Sequence, residues 1–400
     1  MNSYIHRIVT KFSFDEKWIL FNFVLLFFPN YISEFLIASS TLYLLSKADK
    51  RRKIFATHHI IWIALWGIVA LSTGYYYGNN LGVAYGALYM LFTIFAIYAW
   101  DVMTPRLATL IIRVGSAISV GLFMIAAVQR LMGTVRPSAT FSNPNLYGYV
   151  CELMILLAVF ALIVQRKRHS FYWIVILANM SGILLSGCRS AWIATFGGTI
   201  ILFLCLKRYK SFFASVSLIP ITGLFLYFNQ QLIPRVSDIG ETITTRSEIW
   251  KTAYYAIRTF PLFGNGFLSY RYISAGVGMA HASGGQIIAH AHNIFLDMLV
   301  NFGIIGSLFA LIFCVYALRL CIKSLPHNPS AAIGIAVFVA LMIHGITDVP
   351  VWGFHTGTIT MLLITLAGTQ PNPPIVEDLN ADIASELTVK KPVLPGKASM

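Results

Sequence analysis

Long apolar segments recur along the whole sequence, and they constrain the fold more than any other feature. Hydrophobic residues make up 57% of the chain and charged residues only 11%, with a mean hydropathy of +0.73. A helical span needs about 20 mostly apolar residues to cross a bilayer, and a helix satisfies its own backbone there. The sequence therefore predicts an all-α integral membrane protein with about twelve transmembrane helices. These lie near 18–29, 31–46, 58–76, 81–99, 107–128, 147–165, 171–187, 190–206, 212–228, 293–321, 331–347 and 352–368.

The distribution of positive charge predicts the orientation of these spans. The net charge is +14, and three basic clusters lie between the predicted spans: KADKRRK (47–53), RKRH (166–169) and KRYK (207–210). With twelve spans, all three clusters fall on one side, which is the cytoplasmic side by the positive-inside rule, together with both termini. The positive charge is thus explained by membrane orientation, and no nucleic-acid partner is predicted.

The predicted spans divide the chain into four parts. Residues 1–228 form the first nine transmembrane helices, and 229–292 form one long loop on the outer side. Residues 293–368 form the last three transmembrane helices. Residues 369–400 are a polar, proline-containing tail that we expect to be disordered on the cytoplasmic side. Because most other loops are short, the long outer loop is the favoured location for functional residues.

Basic residues on the outer side are unusual, since they oppose the orientation rule. All of them but Lys251 are arginines, and they are Arg130, Arg136, Arg189, Arg235, Arg246, Lys251, Arg258 and Arg271. A guanidinium binds phosphate or carboxylate through two parallel hydrogen bonds, whereas lysine acts as a point charge. The outer face is therefore predicted to bind an anion. Few ionisable residues lie near the middle of the predicted spans, which argues against an ion-coupled transporter.

Arg189 and Arg246 both lie at predicted helix starts, where backbone N–H groups and the helix dipole favour anions. Arg189 follows a span that ends at Gly187. For Arg246, the T-x-x-E pattern of Thr245 and Glu248 predicts a capping box that begins a helix. Its apolar face would hold Trp250, Tyr254 and Ile257, and Pro261 would end it. The alternatives are a surface arginine packed along an interfacial helix for Arg246 and an interfacial anchor for Arg189.

The stretch HAHNIFLD places polar residues at the start of the tenth predicted span. On a helix from this point, Asn293, Asp297 and Asn301 share one face, which protein or water must cover. His292 would lie at the rim, where an imidazole can exchange a proton near neutral pH. Its alternative is a simple helix-start residue. His290 and His292 form an H-x-H pair with His281 nearby, but no carboxylate or cysteine completes a recognisable spacing, so no metal site is predicted.

These motifs together resemble the O-antigen ligase and polymerase superfamily. The signature is His292-Asn293, nine further residues and then Gly303-x-x-Gly306. Three further motifs match in the same order along the chain: SNPNLYG at 142–148, SGCRSAW around Arg189, and TRSEIW around Arg246, which is followed by Gly264 and Gly266. With the predicted spans and the long outer loop, the resemblance covers nearly the whole chain.

The resemblance implies a GT-C-like glycosyltransferase of the bacterial inner membrane with its active site facing the periplasm. Such a ligase transfers O-antigen polysaccharide from undecaprenyl diphosphate to a sugar hydroxyl of lipid A–core, with inversion and without nucleotide, metal or other cofactor. It implies that Arg189 and Arg246 bind the diphosphate and that His292 orients or deprotonates the acceptor hydroxyl. Asn293, Arg136 and His290 are further candidates for substrate contact.

Several alternatives stay open at this level. An O-antigen polymerase of the same superfamily would use another lipid-linked glycan as acceptor. Protein O-glycosylating relatives rank third, because they tend to be longer and to carry an added C-terminal portion, whereas the predicted tail here is short and polar. A lipid-linked sugar flippase would need a polar route through the middle of the bundle. A structural scaffold ranks last, since it explains neither the outer arginines nor the polar stripe below His292.

Overall fold

The computed structural model of the chain describes residues 12–29, 31–56, 60–164, 169–228, 239–276 and 288–369. No strand occurs in these ranges. The helices before the long loop are α1 (Phe14–Leu25), α2 (Tyr31–Ser46), α3 (Ala48–Ala56), α4 (Ile60–Tyr76), α5 (Asn80–Val102), α6 (Pro105–Leu131), α7 (Pro144–Val164), α8 (His169–Ser186), α9 (Arg189–Cys205) and α10 (Tyr209–Phe228). They are followed by α11 (Ile239–Thr259), α12 (Tyr270–Gly276), α13 (Ile294–Ser324), α14 (Ala331–Gly345) and α15 (Phe354–Thr365). Short 3₁₀ turns cover Pro350–Trp352 and Leu366–Gly368.

Each predicted apolar segment overlaps one of these helices. By length and composition, 5 helices of the described part can cross a membrane, namely α5, α6, α7, α8 and α13. The number is 6 if α3 and α4 count as one bent span, and α9, α14 and α15 are shorter apolar helices. The chain is thus an all-α, multi-pass membrane protein, and the total of twelve spans stays a prediction. Arg235, His281 and residues 370–400 of the predicted tail lie outside the described residues.

Helix α7 is the central element of the bundle. It packs against α8, α9, α6 and α14, and most of its residues from Tyr147 to Ala161 are buried. Gly148 allows a close approach, because a Cβ there would overlap Cys188 in the link between α8 and α9. A second group of contacts joins α13 to α4, α4 to α5, and α5 to α15. The starts of α7, α9 and α13 meet the end of α14, and we call this the site end of the bundle.

The predicted start of the Arg246 helix is wrong. Helix α11 begins at Ile239, so Thr245 and Arg246 lie in its interior, and the T-x-x-E pattern does not cap it. A capping box contributes little free energy compared with the packing of a whole helix face, and the helix continues upstream of it. Arg246 is therefore on the third turn of α11 and gains nothing from an N-terminal dipole. The predicted end before Pro261 is correct, since α11 ends at Thr259.

The buried face of α11 is shifted by one residue from the predicted stripe. Ile249, Ala253 and Ala256 are buried against α12 and the start of α13, while Tyr254 is exposed. Small alanine side chains let α11 lie close to its neighbours, and the larger Tyr254 remains at the surface. The predicted stripe consists of bulkier side chains, whereas the buried face of α11 consists of Ile249 and two alanines, which pack more closely.

Helix α13 is kinked at Gly303, where a glycine allows a bend. Gly303 has φ +61° and ψ −168°, which breaks the ladder of helical hydrogen bonds. The loop after α11 fills the gap. Asn265 and Gly266 donate their backbone N–H groups to the carbonyls of Val300 and Asn301, both at 2.9 Å. In return, Ile304 and Ile305 donate to the carbonyls of Pro261 and Leu262 at 2.8 and 3.0 Å.

Candidate active site

Asp348 lies at the centre of the polar cluster at the site end. It belongs to the short link between α14 and the first 3₁₀ turn, and its side chain is only 8% exposed. Its Oδ1 is 3.3 Å from Nδ1 of His292 and 3.8 Å from Nε2 of His290. Its Oδ2 accepts a 2.7 Å hydrogen bond from Asn145 at the start of α7. One carboxylate therefore joins the H-x-H loop to the bundle.

Arg136 extends this cluster through Asn145. Its NH2 atom donates to Oδ1 of Asn145 at 2.5 Å, and its Nε donates to the carbonyl of Ser186 at 2.8 Å. Asn145 is thus held on both sides, by a guanidinium and by the Asp348 carboxylate. Arg136, a predicted substrate contact, thus reaches Asp348 through Asn145. Arg130 by contrast folds back on its own loop and donates to the carbonyl of Val135 at 3.0 Å.

Thr347 brings Arg246 and the start of α9, where Arg189 lies, to the same turn. The NH1 atom of Arg246 donates to the Thr347 carbonyl. The hydroxyl of Thr347 donates to the Ser190 hydroxyl at 2.8 Å, and Ser190 is the neighbour of Arg189. Arg189 is the first residue of α9, as predicted, and the N-cap residue Cys188 makes no side-chain hydrogen bond to the helix. The start of α9 therefore offers backbone N–H groups to an anion.

His292 has an unusual backbone conformation. Its φ of +48° lies in the left-handed region, which a residue with a side chain rarely adopts and which costs free energy. The imidazole is partly exposed and packs edge to face against His290, with ring centroids 4.3 Å apart. With Nδ1 facing Asp348, the Nε2 atom is the one left for a substrate hydroxyl.

Asn293 is the N-cap of α13, immediately after His292. Its Oδ1 accepts from the backbone N–H groups of Phe295 and Leu296, both at 3.0 Å, and its Nδ2 donates to the carbonyl of Ile346 at 3.0 Å. The side chain therefore ties the start of α13 to the Asp348 link. These contacts fit a residue that positions His292 better than a residue that binds sugar directly.

The predicted polar stripe on α13 is covered by protein. Asp297 and Asn301 are buried and joined by a 2.7 Å hydrogen bond. Asp297 also accepts from Nε1 of Trp352 at 2.6 Å and from the backbone N–H of Ala291 at 2.7 Å. Ala291 separates the two histidines, so this buried carboxylate holds the H-x-H loop in place from below.

Burial and charge perturb the titration of the cluster. Burial, the neighbouring His292 and Arg246 lower the pKa of His290 to about 4, although Asp348 opposes this change. His290 is therefore neutral at pH 7. Burial favours the protonated form of Asp348, but the hydrogen bond from His292 and the electrostatic effect of the nearby His290 and His344 outweigh it and hold the pKa of Asp348 well below its usual range. Asp348 is accordingly an anion at any physiological pH.

The structure adds a carboxylate to the H-x-H pair that the sequence spacing lacked. One ligand atom each from His290, His292 and Asp348 lies within 4.8 Å of the others, so these side chains could hold a divalent cation. The Arg246 guanidinium lies close enough to lower the pKa of His290, and its charge opposes a cation there. The spacing argument against a metal no longer holds, while the electrostatic one favours an anionic ligand.

Sequence reasoning missed three members of the cluster: Asp348, Asn145 and Thr347. Asp348 was noticeable as an acidic group beside an apolar helix end, and Asn145 lies within SNPNLYG. Neither feature indicates its partner, because the contacts join positions 56 and 203 residues apart in sequence. The structure brings His290 and His292 to Asp348, and Arg136 reaches Asp348 through Asn145. It brings Arg246 to Thr347, and Thr347 also contacts Ser190, the residue after Arg189.

Comparison with known proteins supports the resemblance found in the motifs. No curated protein matches the sequence significantly. Residues 172–311, however, match the family model described as O-antigen ligase. The match includes Arg189, Arg246 and the His292-Asn293 pair with Gly303, and it excludes Asn145 and Asp348. The predicted resemblance is thereby confirmed over residues 172–311, which are similar to the O-antigen ligase family.

Proposed function

We propose that the protein is an O-antigen ligase, which transfers O-antigen polysaccharide from undecaprenyl diphosphate to a sugar hydroxyl of lipid A–core at the periplasmic face of the inner membrane. The observation that carries the proposal is the convergence of Arg246, the Arg189 helix start and the His292–Asp348 pair on one short link at the site end. Arg246 and the start of α9 are suited to bind an anionic leaving group, and His292 is suited to act on a hydroxyl nucleophile.

The donor diphosphate would bind between the two arginines. A guanidinium carries five N–H donors in a planar fork, and the bond from Arg246 to the Thr347 carbonyl fixes one edge of it. The N–H groups at the start of α9 would bind a further phosphate oxygen. As the bond between the anomeric carbon and the phosphate oxygen breaks, negative charge develops on the diphosphate, and these preorganised donors stabilise it.

His292 would act on the acceptor. With Asp348 bound at Nδ1, the Nε2 atom accepts the hydroxyl proton while the acceptor oxygen attacks the anomeric carbon. The new bond forms on the face opposite the leaving undecaprenyl diphosphate, so the configuration inverts. The Asp348 carboxylate stabilises the imidazolium that results and fixes the ring orientation. Asn293 and His290 would hold the loop that carries His292, and Arg136 would fix Asn145 against Asp348.

Arginine variants test the diphosphate assignment. Arg189→Ala and Arg246→Ala are expected to reach the membrane in normal amount and to lose nearly all transfer. Arg258→Ala is the matched control, because Arg258 lies on the same helix as Arg246 and stacks on Tyr254 away from the cluster. Transfer at the wild-type rate in either site variant would refute the assignment, and His292→Ala tests the acceptor role in the same way.

Lipopolysaccharide from a strain that lacks the gene, compared with the complemented strain, tests the reaction itself. A ligase predicts core-only lipopolysaccharide in the deletion strain, with polymer accumulating on the lipid carrier. Core that carries a single repeat unit would instead identify a polymerase, and the acceptor proposed here would be wrong.

A further inference from the structure

A second polar group lies beneath the site and takes no part in the proposed chemistry. Glu152 on α7 and His344 on α14 are both fully buried, and Nδ1 of His344 is 2.7 Å from Oε2 of Glu152. The other carboxylate oxygen, Oε1, is buried with no hydrogen-bond partner. Burying such a pair inside an apolar bundle costs free energy, and apolar residues of similar volume are often at least as stabilising. A contribution to stability therefore does not explain the presence of the Glu152–His344 pair.

The contacts of His344 reach the Thr347–Asp348 turn and two of the helices that present site residues, α7 and α9. Its carbonyl accepts from the backbone N–H groups of Thr347 at 3.1 Å and Asp348 at 3.2 Å. Its Nε2 is 3.9 Å from Sγ of Cys188, the N-cap residue that precedes Arg189. Glu152 lies two turns below Asn145 on the same helix. The pair therefore joins the turn of Thr347 and Asp348 to the helices of Asn145 and Arg189.

We propose that Glu152 and His344 are positioning residues, which hold the turn of Thr347 and Asp348 in register with α7 and α9. The Nδ1–carboxylate bond fixes the rotation of α14 relative to α7. That rotation sets where the Thr347 carbonyl meets Arg246 and where Asp348 meets His292. The proposal rests on the proposed transferase function only for its effect on rate, because the register itself is a property of the fold.

The double variant Glu152→Met/His344→Leu tests this, since it replaces the pair by apolar side chains of similar volume. We expect it to melt at or above the wild-type temperature and to lose about tenfold to a hundredfold in kcat, the scale of an ångström-sized misplacement. Amide hydrogen exchange in a peptide that covers 345–349 should be faster. A folded double variant with wild-type kcat and wild-type exchange would overturn the proposal.

Asn179→Leu is the matched control. Asn179 makes a buried 2.9 Å hydrogen bond to Ser119 between α8 and α6, and neither residue belongs to the polar cluster around Asp348. We expect its loss to lower the melting temperature while kcat and exchange at 345–349 stay at the wild-type level. A comparable loss of kcat in Asn179→Leu would mean that any buried polar bond matters equally, and the proposal would fall.

Two single variants keep the test decisive if the double variant does not fold. In His344→Asn the amide nitrogen takes the place of Nδ1 and keeps the bond to Glu152, whereas in His344→Gln it takes the place of Nε2. We expect the Asn variant to retain at least about tenfold more activity than the Gln variant, and equal activities would overturn the proposal. If the wild-type protein transfers no glycan, the proposed function fails alone, and exchange at 345–349 still decides on the positioning pair.

Discussion

Replacing Asp348 by Asn is the sharpest test of the chemistry, because it removes one charge and keeps the shape. During transfer the Asp348 carboxylate faces the imidazolium that forms on His292, with Oδ1 3.3 Å from Nδ1. Two unit charges at this distance attract each other by about 5 kcal/mol at an effective dielectric constant near 20. The His292 side chain is 29% exposed, so solvent screening reduces this to roughly 2–3 kcal/mol. At about 1.4 kcal/mol per factor of ten, kcat should fall roughly 30- to 150-fold.

The assay is transfer of labelled glycan to purified lipid A–core under saturating donor, with the variant quantified in the membrane. KM for the donor should change little, since Asp348 is assigned to the acceptor side. Glu248→Gln is the control, because that exposed carboxylate pairs with Lys251 on the surface of α11 and its loss should leave kcat unchanged. A kcat for Asp348→Asn within a factor of two of the wild type would refute the assignment of Asp348 as the partner of His292.

Three further predictions follow from the same cluster and from the kink in α13. Because burial lowers the pKa of His290 to about 4 from an ordinary 6.5, the folded protein binds fewer protons there than the unfolded chain, so stability rises with pH between these values. The melting temperature of the wild type should therefore fall more steeply from pH 6.5 to pH 4 than that of His290→Gln, and parallel curves would contradict this. Gly303→Ala should greatly reduce the amount of folded protein in detergent, since a Cβ would overlap the Leu262 backbone and φ is positive; Gly121→Ala, in open space on α6, should be tolerated. Chelation by EDTA should leave transfer unchanged, and a loss reversed by a divalent cation would mean that the three candidate metal ligands do hold an ion.

The helices could be predicted from the sequence because their signal is local. Apolar runs of membrane length are needed wherever a helix meets lipid, so the runs and the helices coincide. The start of α9 at Arg189 and the kink at Gly303 were also predictable, since each depends on glycine and its immediate neighbours. Of the cluster, His292, Arg189 and Arg246 were found because each belongs to a short motif.

The remaining parts of the site depend on contacts that leave no local pattern. Asp348 looks like any acidic residue at a helix end until α7 and the H-x-H loop are brought beside it. The capping box at Thr245 is a true local pattern, but helix packing overrides it and α11 begins at Ile239. Glu152 and His344 were visible as polar residues in apolar segments, and only their distance identifies them as a pair.

The backbone exchange at the kink of α13 has a consequence for how this region can be altered. Four backbone hydrogen bonds join 261–266 to 300–305, and they replace the helical bonds that Gly303 breaks. A substituted loop of different length would leave those backbone groups without these partners. Residues 261–266 and 300–305 are therefore expected to tolerate exchange only when both are exchanged together. A chimera that borrows the Arg246 helix from another protein must take the histidine loop and the kinked span with it.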